Sequence, residues 1–71
     1  MSYYGFVRVD NKYAIDIFWW FIRNGIVAEF PRSLSPYTSE IFISDLTPDQ
    51  RTLCTDYLSS VYGVVPYLFR S

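Results

Sequence analysis

The chain has 71 residues, a mass of 8.4 kDa and a formal net charge of −1, a length that suits one small domain spanning residues 1–71. It contains no histidine and one cysteine, which excludes an internal disulfide, a multi-cysteine zinc site and the commonest general base. Six basic residues against seven acidic ones leave no basic patch for nucleic acid, whereas aromatic residues reach 21%. We therefore expect a protein that is not an enzyme and that has no cofactor and no metal site.

The first half of the chain predicts a strand, a helix and a second strand. Aromatic and β-branched residues indicate a strand over Tyr3–Val9, and Asp10 follows as a turn residue or helix N-cap. Apolar residues at helical spacing predict a helix over Lys12–Asn24, with Gly25 as its stop. The residues Ile26–Phe30 predict the second strand.

The second half begins with a predicted loop over Pro31–Ser39, which contains two prolines and four serine or threonine residues. A third strand is predicted over Ile41–Ser44. The segment Thr47-Pro48-Asp49-Gln50 is a capping box with proline at the first helical position. It predicts a helix that runs to about Tyr62 and ends at Gly63.

A last strand is predicted over Val64–Phe69, where Pro66 indicates an edge position. The order β-α-β-β-α-β predicts an α+β fold of the ferredoxin-like kind, with a four-stranded antiparallel sheet and two helices on one face. The expected strand order is 4-1-3-2. In the alternative, strands two and three form a hairpin with a long loop beside an α/β core.

The helical wheel of the first helix predicts a buried stripe and an aromatic edge on its polar side. The polar centre consists of Lys12, Asp16 and Arg23. Two interpretations of the edge stay open: the tryptophans cover the ends of a small core, or they bind a protein partner. The edge residues are Tyr13, Trp19 and Trp20, and the stripe consists of Ala14, Phe18, Phe21, Ile22 and Gly25.

In the second helix the wheel places Cys54 among buried side chains, which predicts a core thiol rather than a nucleophile. The expected buried stripe consists of Leu53, Cys54, Tyr57, Leu58 and Val61.

Alternation along the strands predicts one sheet face that no helix covers. We expect Ala28 and Phe30 to point to the core and Glu40 to point away from it, on the same side as Phe42. An exposed apolar patch of this kind marks a partner surface, unless the 31–39 loop or the C-terminal tail folds over it. The residues expected on the uncovered face are Tyr4, Phe6, Arg8, Val27 and Phe42.

The segment Tyr4-Gly5-Phe6-Val7 resembles part of the aromatic octapeptide of the RNA-recognition-motif family. Its flanking basic, glycine and aromatic positions differ, and that family carries the octapeptide on its third strand. The resemblance implies that bases stack on Phe6 and Phe42, with Arg8 near a phosphate. The net charge of −1 favours a protein partner instead.

These observations predict a small interaction module, most simply an inhibitor or adaptor that binds a larger protein or complex. Phages and viruses often encode such chains, including blockers of host defence enzymes. The alternatives are a single-stranded nucleic-acid binder and a self-associating structural subunit, such as a homodimer. With no leader-like N-terminus and no long apolar run, we expect a cytoplasmic protein without membrane partners. The predicted protein-binding residues are Trp19, Trp20, Tyr13, Asp16, Arg23, Tyr4, Phe6, Arg8, Phe42 and Tyr37.

Overall fold

The computed structural model describes all 71 residues, which form two helices and five strands. In chain order the elements are β1 (Tyr3–Asp10), α1 (Asn11–Arg23), β2 (Val27–Ala28), β3 (Arg32–Ser33), β4 (Thr38–Leu46), α2 (Pro48–Tyr62) and β5 (Tyr67–Arg70). Both helices begin where the sequence predicts a cap. The Asp10 carboxylate accepts from the Lys12 N–H, and Thr47 and Gln50 form the complete capping box, with Gly63 left-handed at the end.

One antiparallel sheet contains all five strands, in the order β2-β4-β1-β5 with β3 also paired to β4. The prediction of an α+β fold with two helices and an antiparallel sheet is confirmed, but the prediction of four strands is wrong. The additional strand, β3, lies within the predicted loop over residues 31–39. It forms because β4 begins at Thr38 and so offers backbone groups for Arg32 and Ser33 to pair with.

A β-bulge near the end of β4 keeps its last residue in the core. Tyr3 lies opposite Leu46 and Gly5 lies opposite Ile43, so β4 carries one more residue than β1 between these pairs. The extra residue is accommodated at Asp45, whose φ of 57° is a left-handed conformation that aspartate tolerates better than most residues. Without the bulge, the alternation along β4 would turn Leu46 away from the helices.

The core lies between the helices and one face of the sheet. Val7 and Ile41 from the central strands meet Phe21 of α1 and Leu58 of α2 in one buried cluster, and Cys54 lies inside it as predicted. The full cluster is Val7, Val9, Ala14, Ile17, Phe21, Ile26, Ile41, Ile43, Leu46, Cys54 and Leu58.

Several side chains that the wheels and the alternation place in the core are exposed instead. On α1 the buried arc is centred on Ile17, and Ile22 is exposed because the helix is rotated relative to the expected stripe. On α2 only one side meets the sheet, which leaves Leu53 and Val61 in solvent. Phe30 is exposed because strand β2 ends at Ala28, before the alternation reaches it.

Candidate functional site

The sheet face opposite the helices carries five aromatic side chains, and we call this face the open face. Phe6 lies at its centre, with the Tyr67 ring stacked at 5.2 Å between centroids and the Phe42 ring at 6.0 Å. Tyr4 and Phe69 form a second cross-strand pair at 5.8 Å. The register explains these contacts, because each pair occupies directly opposite positions on neighbouring strands. The open face thus consists of Tyr4, Phe6, Phe42, Tyr67 and Phe69.

At one end of the open face a buried carboxylate holds two arginines. Glu40 lies opposite both Arg8 and Arg32 in the strand register, and its side chain is only 6% exposed. Its two oxygens accept from Arg8 Nε at 3.1 Å and from Arg32 Nη2 at 3.2 Å. Glu40 lies on the side away from the core, in line with the alternation, but it is buried because the two longer arginine side chains cover it on the same face. The two guanidinium carbons lie 5.3 Å from the Phe6 ring and 5.5 Å from the Phe42 ring.

A shallow hollow of about 220 Å³ opens on this face beside Phe42. Its apolar wall includes Tyr4 and Val27, and its polar wall includes the exposed Glu29 and the partly buried Ser44. Glu29 takes part in no ion pair within the chain, since both ion pairs of the protein use Glu40. The hollow therefore combines aromatic walls with a free carboxylate.

Neither the 31–39 segment nor the C-terminal tail covers the open face. The segment forms a short hairpin that extends the sheet, and Asn11 holds its tip through bonds to the carbonyls of Ser35 and Pro36 at 3.2 and 2.7 Å. Tyr37 projects from this tip and is 78% exposed. The tail continues along β1, where the Ser71 N–H donates to the Ser2 carbonyl at 3.0 Å. The face opposite the helices stays open to solvent.

On the helix side, a seam of aromatic rings joins α1 to α2. The Trp20 ring lies parallel to the Tyr57 ring at 4.0 Å, and Tyr62 contacts both Tyr57 and Tyr13. Burial and the hydrogen bond with Tyr62 raise the pKa of Tyr57 to about 12. Burial alone raises the pKa of the Cys54 thiol to about 12, so this thiol stays protonated at neutral pH.

The outer side of α1 carries a second apolar surface, which we call the α1 patch. Trp19 is 50% exposed and meets Phe18 edge to face at 5.4 Å, and Phe18 meets Phe30 in the same way. The exposed Ile15 and Ile22 lie one helical turn to either side. The α1 patch consists of Ile15, Phe18, Trp19, Ile22 and Phe30.

The predicted binding residues fall on different surfaces of the molecule. Tyr4, Phe6, Arg8 and Phe42 come together on the open face. Tyr13 and Trp20 belong to the seam between the helices. Asp16 and Arg23 are exposed on α1. Trp19 belongs to the α1 patch, and Tyr37 lies at the hairpin tip.

Sequence reasoning missed three residues of the open face and its arginine cluster, and it missed the burial of a fourth, Glu40. Tyr67 and Phe69 alternate with Leu68, a signal that would have placed both on the open face once the last strand was paired with the first. Arg32 and the burial of Glu40 had no local signal, because they depend on a strand inside the predicted loop.

Comparison of the sequence with protein-family models gave no match, and neither curated proteins nor solved structures gave one. No three cysteine, aspartate or glutamate side chains lie close enough together to hold a metal ion. Neither helix is both long and apolar enough to span a bilayer.

Proposed function

We propose that the protein is a non-enzymatic binding module that acts as an inhibitor or adaptor by covering a surface of a larger protein with its open face. The observation that carries this proposal is the layer of five aromatic rings, a group of three around Phe6 and the pair Tyr4–Phe69, that no other part of the chain covers. Aromatic and arginine side chains contribute most of the binding energy in protein interfaces. Because such a layer costs free energy when it faces water, a partner that covers it gains affinity.

The charges on this face favour a protein partner with a mixed surface. Arg8 and Arg32 contribute two positive charges, and Glu29 and Glu40 contribute two negative ones, so the face has no net charge. Glu40 fixes both guanidinium groups beside the rings, which lowers the entropy cost of ordering them on binding. Binding through this face is therefore expected to tolerate salt.

The hollow beside Phe42 suits a basic side chain of the partner. An aliphatic stem would pack on Val27 and on the Tyr4 and Phe42 rings, and its cation would lie near the free carboxylate of Glu29. A lysine or arginine of the partner satisfies both requirements.

The test is affinity capture from an extract of the cells that produce the protein, at about 0.15 M and about 0.5 M salt, with the captured protein identified by mass spectrometry. Tyr67→Ser should weaken binding of that protein about thirtyfold, because it removes an exposed tyrosine that stacks on Phe6. Tyr37→Ser is the matched control: the sequence placed Tyr37 among the binding residues, but it lies at the hairpin tip and is not one of the five rings of the open face, so on this proposal binding should be unchanged. Equal binding by both variants would contradict the proposal.

A second candidate function, binding of single-stranded nucleic acid, is favoured by the position of Phe6 and Phe42 side by side on the two central strands. Bases stack on aromatic side chains in this arrangement. Against it, both nearby arginines are already bound to Glu40. Quenching of tryptophan and tyrosine fluorescence by an oligothymidylate, weakened by salt, would support this candidate in place of the first.

We also propose that the fold is a variant of the ferredoxin-like arrangement. The order β-α-β-β-α-β of the elements other than β3 supports this, with β3 added beside β2 along the same edge of β4.

A further inference from the structure

The apolar surface of helix α1 extends beyond the side that packs on the sheet. Its inner side, centred on Ile17, is buried against the sheet, whereas the α1 patch on its outer side is exposed. An apolar helix surface of this width is usually covered over its whole extent. Within the patch the helical residues follow the spacing i, i+3, i+4 and i+7 from Ile15, which is the spacing of a helix-pairing surface.

The charges beside the patch indicate what covers it. Asp16 and Arg23 are seven residues apart, so they lie on the same flank of the helix. Neither takes part in an ion pair within the chain, because both ion pairs of the protein use Glu40. When a second α1 lies antiparallel across a two-fold axis, Asp16 of each copy faces Arg23 of the other, so one contact forms two complementary pairs.

We propose that two copies of this chain associate through the α1 patch, with their α1 helices antiparallel and Trp19 of each copy near the two-fold axis. Phe30 widens the apolar area beyond the helix, since its ring packs on Phe18. The contact lies on the helix side of the molecule, so the open face of each copy stays free. The proposal therefore does not rest on the binding function proposed for that face.

The experiment is light scattering on the full chain from about 10 μM to about 1 mM. The mass of the unmodified protein should rise from the 8.4 kDa of one chain towards twice that value. Asp16→Arg places two positive charges opposite each other at both ends of the contact, and Arg23→Asp places two negative charges there. Each single change should weaken association at least tenfold.

The combined variant Asp16→Arg/Arg23→Asp exchanges the charges and should restore association. If the single variants failed to associate because they were unfolded, combining them would not restore it. Trp19→Ser should leave a monomer, whereas Val61→Ser, an exposed apolar change on α2, should have no effect. A single-chain mass at every concentration would overturn the proposal. Association that survives the single charge reversals, or that Tyr67→Ser on the open face abolishes, would overturn it as well.

Discussion

Gly5 is the residue at which β5 comes closest to β1. A Cβ atom at this position would lie 1.8 Å from the Tyr67 carbonyl oxygen and 2.9 Å from its carbonyl carbon. Because these atoms belong to the backbone, no rotamer change relieves the contact, and β5 would have to move away. Glycine is therefore required here by the packing of two strands.

We predict that Gly5→Ala lowers the free energy of unfolding by about 3 kcal/mol, measured by urea denaturation. Amide exchange along β5 should increase with it. Gly63→Ala is the matched control, since its Cβ would meet nothing within 4 Å and only the left-handed φ of 68° is strained. It should cost about 1 kcal/mol. Equal losses in the two variants would mean that β5 adapts to the added methyl group.

Glu40 and its two arginines differ in exposure, and the effect of removing them should differ accordingly. Glu40→Gln leaves two arginines that are more than half exposed and stay hydrated, so it should cost about 1 kcal/mol. Arg8→Met combined with Arg32→Met leaves a buried carboxylate without a partner, and should cost about 3 kcal/mol. Urea denaturation of both proteins at neutral pH measures the difference. The opposite ranking would show that Glu40 gains water when the arginines are removed.

At the scale of the elements, the side chain of Gln50 both completes the cap of α2 and bonds to the end of α1. Thr47 accepts from the Gln50 N–H at 3.1 Å, and the Gln50 side-chain oxygen accepts from the Thr47 N–H at 3.0 Å. The Gln50 amide nitrogen also donates to the carbonyls of Asn24 and Gly25, at 3.3 and 3.2 Å. The cap of one helix is thereby tied to the end of the other.

Thr47→Ala should lower the free energy of unfolding by about 1 kcal/mol, because one N–H of the first turn loses its acceptor. Thr52→Ala makes the same chemical change on the exposed surface of α2 and should be neutral or slightly stabilising, since alanine favours helix more than threonine. Thermal unfolding followed by circular dichroism compares the two. If Thr52→Ala were as costly as Thr47→Ala, the loss would not come from the cap.

At the scale of the whole molecule, the buried Cys54 thiol and the partly buried Tyr57 hydroxyl make the free energy of unfolding depend on pH in the alkaline range. Burial raises the pKa of the Cys54 thiol from its ordinary 9.0 to about 12, and burial with the Tyr62 hydrogen bond raises the pKa of Tyr57 from 10.0 to about 12. The folded chain therefore holds these protons more tightly than the unfolded chain. Their contribution to stability is complete below about pH 9 and is lost as the pH rises towards 12.

We expect the free energy of unfolding to fall between pH 9 and pH 12, with Cys54 contributing up to about 1.4 kcal/mol per pH unit. Cys54→Ala removes the titrating thiol, so the free energy of unfolding should fall less steeply with pH. This holds independently of the effect of the substitution on stability at neutral pH. Urea denaturation of both proteins at several values across this range measures the slopes. An unchanged slope would show that the thiol titrates alike in the folded and unfolded chains.

Features that depend on neighbouring residues could be predicted from the sequence. The capping box at Thr47–Gln50, the stop at Gly63 and the cap at Asp10 each involve contacts within a few residues, so the sequence contains all the atoms that decide them. The alternation that places Phe6 and Phe42 on one face is local in the same sense.

The sequence by itself thus determined where the two helices begin and end and which residues of β1 and β4 share a face. Only the tertiary structure decided which arc of α1 is buried. This helix is apolar around most of its circumference, so the buried arc is the one that packs against the sheet. The tertiary structure also decided the burial of Glu40 and the addition of Tyr67 and Phe69 to the open face, since both depend on strand pairing between residues far apart in the chain. Local propensity acts over a few residues, whereas register and burial are set by contacts that form only when distant segments meet.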